Sequence, residues 1–121
     1  MANTFKVVTF AAEPNSAGPP YVVYTAGSGV TAVVLGLILT NINTAQVTAE
    51  VELVSDTGSR GGSNDVTNGT AFLAKDIPIP VGSSVELLSG NKVVLETTDQ
   101  IRIDCSVADK LSGALSVMEI T

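Results

Sequence analysis

The chain has 121 residues, 45% of them hydrophobic and only 15% charged, with a net charge of −6. That length fits one domain that can bury a core without metal or disulfide support. The acidic balance and the scatter of Lys6, Arg60, Lys75, Lys92, Arg102 and Lys110 along the chain exclude the basic patch of a free-standing nucleic-acid binder. With 4% aromatics and no tryptophan, a carbohydrate platform or base-stacking surface is also disfavoured. A soluble monomer usually carries roughly 25% charged residues, so this surface is short of charge, as expected where much of it meets other protein.

The opening MANTFKVVTFAAEP lacks a basic start followed by a long apolar core, so no secretory leader is expected and the chain is assigned to the cytosol or to an assembly made there. Residues 4–10 read as a first short strand or arm, followed by a turn-rich connection over 11–20. A second strand is predicted over 21–25. The turn Gly27-Ser28-Gly29 has no Lys-Ser/Thr after it and is not a phosphate loop. Residues 30–39 (VTAVVLGLIL) have no polar face. This is either a central strand covered on both sides or a strand whose outer face meets another subunit. Strict alternation assigns Val33, Leu35, Leu37 and Leu39 to that oligomer interface. The apolar run ends at Thr40 and Asn41, well short of the roughly 20 residues of a membrane helix.

After a turn over 41–44, residues 47–54 alternate, with Val47, Ala49, Val51 and Leu53 on one face and Thr48, Glu50 and Glu52 on the other. A Gly/Ser/Asn/Asp-rich loop is predicted over 56–70, too long for a tight hairpin. Further strands are expected over 71–77, 84–88 and 92–96. Pro78 and Pro80 cannot donate to a ladder, which places the first of these at an exposed sheet edge. Turns at 80–83 and 89–91 separate them. In IRIDCSV the residues Ile101, Ile103, Cys105 and Val107 face in, and a last strand covers 114–120. No helical stripe, internal repeat or second domain is visible. The prediction is an all-β, single-domain antiparallel β-sandwich, jelly-roll-like, over residues 1–121.

Candidate chemistry is sparse. Asp56-Thr57-Gly58 after a hydrophobic strand resembles the catalytic loop of retroviral-type homodimeric aspartic proteases, in which two aspartates share a proton. Ser55 stands where that family has an apolar residue, and no later apolar-apolar-Gly segment follows, so an ordinary turn is preferred. Asp56 and Asp65 have no calcium-loop spacing. Glu50 and Glu52 read as a solvated face, and the sequon Asn68-Gly69-Thr70 as loop chemistry. Cys105, the single cysteine, reads as a small buried hydrophobe, since no histidine is present to activate it. No catalytic residue, cofactor or metal is expected.

One pattern carries a resemblance. It runs Ile77-Pro78-Ile79-Pro80-x-Gly82-Ser83-Ser84, then Leu87, Gly90, Lys92-x-Val94-Leu95, Asp99 and Ile101, and ends in Val117-Met118-Glu119-Ile120. Upstream stand a Tyr24-x-x-Gly27 turn, the two-sided apolar strand, Asn41 and Asn43, and an alternating strand. From Val22 onward the chain resembles a group of small structural proteins encoded by tailed bacteriophages, marine ones among them. Two departures stand out: Thr98 precedes Asp99 where the group commonly has Gly-Asp, and the loop over 59–68 is longer. The resemblance implies a non-enzymatic virion component, favoured as a capsid decoration (cement) protein, with a neck, tail or fibre-base subunit as the alternative. Its expected partners are further copies of itself, as a homotrimer, and the major capsid protein, with no nucleic acid or membrane. Arg60, Asn64 and Asp65 are the residues expected to make a particle-specific contact through the long loop.

Overall fold

The computed structural model describes residues 3–55, 69–88, 90 and 92–121. Nine strands form among them: β1 (Asn3–Glu13), β2 (Tyr21–Thr25), β3 (Thr31–Asn41), β4 (Val47–Val54), β5 (Thr70–Ile79), β6 (Ser84–Leu87), β7 (Val93–Leu95), β8 (Gln100–Cys105) and β9 (Leu111–Ile120). They build two antiparallel sheets. One has the order β1-β9-β3-β6, with β7 also paired to β3, and the other β2-β8-β4-β5. β6 pairs with Leu37–Thr40 and β7 with Ala32–Val34, so the two are halves of one edge strand. Counted that way, two four-strand sheets face each other with the chain crossing between them at most connections, a jelly roll.

Period-two side-chain alternation explains why each strand has a buried side. From one sheet Ala32, Val34, Leu37, Leu39, Leu95, Leu111, Leu115 and Val117 point inward. Val47, Ala49, Val51, Ile79, Ile101, Ile103 and Cys105 meet them from the other. A buried Leu or Ile of this kind contributes roughly 1.5–3 kcal/mol. Val107, expected on the inward face, is exposed: β8 ends at Cys105, and the chain turns before the next residue of that parity.

The ends of the strands are fastened by polar groups. Asn41 is buried, and its side-chain amide donates to Ala45 O (3.0 Å) and Ile79 O (2.9 Å) while accepting from Asn43 N (2.7 Å). It ties the turn after β3 to the end of β5. At the opposite end Asp99 is buried and accepts from Glu96 N (3.0 Å) and Ser55 Oγ (3.1 Å). Backbone bonds from Thr98 N to Ala26 O and from Ala26 N to Asp99 O, both 2.9 Å, anchor the same turn to β2. β5 is an edge strand, as Pro78 requires; Pro78 lies opposite Thr48, and the pairing shifts register twice farther along. Ser55 N donates to Gly69 O (2.6 Å), which closes the base of the long loop.

Candidate interaction surface

The two outer faces of the sandwich differ in chemistry. On the sheet containing β8, Val22, Arg102, Glu52 and Phe72 form one row across four strands, and Asp104 lies opposite Glu50. Charges pair there: Arg102 with Glu52 (3.3 Å) and Lys75 with Glu50 (2.7 Å), the Lys75 ammonium also sitting 4.8 Å from the centre of the Phe72 ring. Glu50 and Glu52 are thus both ion-paired, but Glu52 is buried against Arg102, which corrects the solvated position expected of it.

The outer face of the sheet containing β3 is apolar. Phe5, Met118, Val33 and Val94 lie side by side across β1, β9, β3 and β7. The next rows bring Val7 beside Ser116 and Gly36, and Thr9 beside Ala114, Ile38 and Glu86. Phe5 is 72% exposed, Val7 63%, Val94 56% and Ile38 41%. Among the described strand positions of this face, Glu86 is the one charged side chain. Singly exposed apolar residues are ordinary, but a continuous uncharged row across four strands marks an interaction surface.

β3 shapes this face through a bulge. Val34 pairs with Val117 and Gly36 with Ser116, so Leu35 is an extra residue in the ladder. The bulge reverses the side-chain parity. Val33 and Leu35 stand on the outer face, but Leu37 and Leu39 are buried in the core, and Gly36 and Ile38 take the outward positions instead. Of the four residues expected at an interface from strict alternation, Leu37 and Leu39 therefore belong to the core, and the outer face of β3 carries Val33, Leu35 and Ile38. Phe5, Val7, Met118 and Val94 belong to the same surface and were not singled out by sequence. The two charged residues of β1, Lys6 and Glu13, stand off the outer apolar row, Lys6 opposite the buried Val117. The Lys6 side chain shares the inward parity and reaches Glu119 (2.9 Å) at the sheet's end. Arg60, Asn64 and Asp65, the residues expected to contact a partner, lie outside the described residues, as do Asp56, Thr57, Gly58 and Asn68.

Glu119 joins the sheets at that end. The Tyr24 hydroxyl on β2 donates to Glu119 Oε2 on β9, and Lys6 holds Oε1. The Lys6 bond, then the Tyr24 bond, keep the Glu119 carboxyl below the usual carboxylate range, while burial and the same carboxylate push the Tyr24 hydroxyl above the usual phenol range. Burial also pushes the Cys105 thiol up, which makes it a poorer nucleophile. Among the described residues no group of three metal-ligating side chains comes together.

No protein-family model and no curated protein matches the chain. Among solved structures it is similar to infectious bursal disease virus, Gx strain, with a TM-score of 0.50 and 14% identity over 96% of this chain and 32% of that one. The VP2 subviral particle of the same virus gives a TM-score of 0.49 with the same identity and coverage. The chain spans about a third of the length of these structures' chains. At this identity the likeness is one of fold, and it agrees with the two-sheet antiparallel architecture.

Proposed function

We propose that the chain is a non-enzymatic structural protein of a tailed-bacteriophage virion, made in the host cytoplasm, which decorates the capsid shell as a homotrimer and contacts the major capsid protein. The observation that carries this reading is the apolar outer face of the β3 sheet, with Glu86 its one charge among the described strand positions, on an acidic molecule. Such a face resembles the inside of an obligate interface, which has the character of a core cut in half, and closed symmetry is the usual way to satisfy it. Two lines support the virion setting: the resemblance of residues 22–120 to phage structural proteins, and a fold shared with chains of a virus particle. A decoration protein works by binding energy alone. Bridging neighbouring capsomers stabilises the assembled shell over the dissociated one by mass action. Nucleic acid and membrane have no part in this reading.

The experiment is removal of the gene. Particles without the protein should assemble and package DNA, then lose it on heating or osmotic shock under milder conditions than complete particles. Full heads of normal thermal stability that lack tails would overturn the shell assignment and place the protein in the neck, tail or fibre base. The number of copies per purified particle gives a second readout: a shell protein follows the capsid lattice, a neck protein a single ring.

A further inference from the structure

Two features of the apolar face fit one another. The first is a ridge. Phe5 and Val7 are the two most exposed large hydrophobic residues described, and both stand on the edge strand β1. The second is a hollow. Where Leu35 bulges from β3, the edge alongside is also interrupted, since β6 pairs from Leu37 and β7 only to Val34. The result is a depression of about 370 Å³ lined by Leu35, Gly36, Ile38, Leu87, Ala114 and Ser116, with Glu86 on its wall. An apolar cavity of about 150 Å³ holds a benzene ring, so a phenyl group fits here with room to spare. Phe5 does not line the depression of its own chain.

Apolarity and shape identify the occupant. At a net charge of −6, two copies repel each other through most of their surface. This face carries one carboxylate at its margin and offers nothing to a strongly basic partner. The partner that matches it in both apolarity and shape is the same face of another copy. Ridge and hollow lie toward opposite edges of one sheet, so when two copies meet through this face the ridge of one can reach the hollow of the other.

We infer that copies of this chain pack through the outer face of the β3 sheet, with Phe5 of one copy seated in the depression beside Gly36 of the next. The inference rests on the oligomeric reading above and names its contact. A Cβ added at Gly36 meets nothing within 4 Å and opens onto the hollow, so Gly36→Leu is expected to fill it and leave the fold intact. Phe5→Ser trims the ridge at a residue the fold leaves exposed. In sedimentation, the intact chain should run as an oligomer. Each variant should keep its β-sheet circular dichroism yet associate about 30-fold more weakly or worse, the loss expected for a hot-spot residue. Mild oxidation of a mixture of Phe5→Cys and Ile38→Cys chains should give mixed disulfide dimers that neither gives alone, the native Cys105 being buried. If the intact chain and both variants oligomerise alike, the contact lies elsewhere and the inference falls while the oligomeric reading stands. Disulfides formed by Ile38→Cys alone, in place of the mixed ones, would overturn the seating of Phe5 in the hollow. An intact chain that stays monomeric at high micromolar concentration would overturn both.

Discussion

Thr98 holds its backbone at φ 72°, a left-handed conformation that strains a β-branched residue. Glycine adopts this conformation without that strain, and the turn uses it to aim Asp99 inward at Glu96 N and Ser55 Oγ. Thr98→Gly should therefore raise stability by about 0.5–1 kcal/mol, the relieved strain outweighing the extra freedom glycine gives the unfolded chain. Gly113 is the opposite case. A Cβ there would sit 2.2 Å from Ile38 O and 2.6 Å from the Phe10 ring, so Gly113→Ala must push backbone apart and should cost about 2–3 kcal/mol. Urea unfolding of the two variants, with opposite shifts in midpoint, checks both. Glu119 supplies a pH-dependent term. Its carboxyl titrates below the usual range when folded, so its contribution is present above that range and is lost as pH falls through the folded value. The stability advantage of the native chain over Glu119→Gln should shrink steadily between about pH 5 and pH 3. An advantage independent of pH would show that solvent screening at the half-exposed Lys6 leaves the Lys6–Glu119–Tyr24 contact no charge-dependent stability.

At the scale of elements, the bulge in β3 decides which residues belong to the core. Both Val34 and Leu37 are buried, although they have opposite parity in the sequence. Val34→Asp and Leu37→Asp should each cost roughly 4 kcal/mol or more, because a lone carboxylate has no partner there. Leu35→Asp, on the outer face, should cost about 1 kcal/mol or less in the monomer and act on association instead. Unfolding at low protein concentration, set beside sedimentation at high concentration, separates the two effects. This contrast also shows where sequence reading stops. The strand over 47–54 was legible to the residue because alternation there is written in polar against apolar side chains, and that over 21–25 because Pro19-Pro20 and Gly27-Ser28-Gly29 bracket it. The β5 edge was legible from Pro78, whose missing N–H is a local fact. The bulge was not, since Leu35 and Gly36 lie inside an unbroken apolar run and an inserted residue leaves no polar mark. Pairing of β1 with β9, and of β6 and β7 with one strand, depends on contacts far apart in the chain that local periodicity does not record. The apolar surface was half legible: Val33 and Leu35 were found through the polar-free strand, but Phe5 and Met118 join them only once the sheet order is known.

For the molecule as a whole, charge separates its two proposed contacts. Copies of the chain each carry −6 and approach through a face with a single carboxylate. Their mutual repulsion acts at a distance and weakens as salt shortens the screening length from about 10 Å at 0.1 M to about 3 Å at 1 M. The apolar contact itself is not screened. Self-association should therefore tighten as sodium chloride rises over this range. Attachment to a capsid shell has the opposite sign if the acidic, ion-paired outer face of the β8 sheet, or the acidic surface generally, meets basic groups there: opposite charges attract less as salt rises, and binding should weaken. Sedimentation of the free protein gives the first slope, and rebinding to particles stripped of it gives the second. Slopes of opposite sign would assign the two contacts to two different surfaces. Self-association that falls with salt would mean that charged groups, and not the apolar rows across β1, β9, β3 and β7, hold the copies together. Shell binding that strengthens with salt would move the shell contact onto those same apolar rows, where it would compete with self-association.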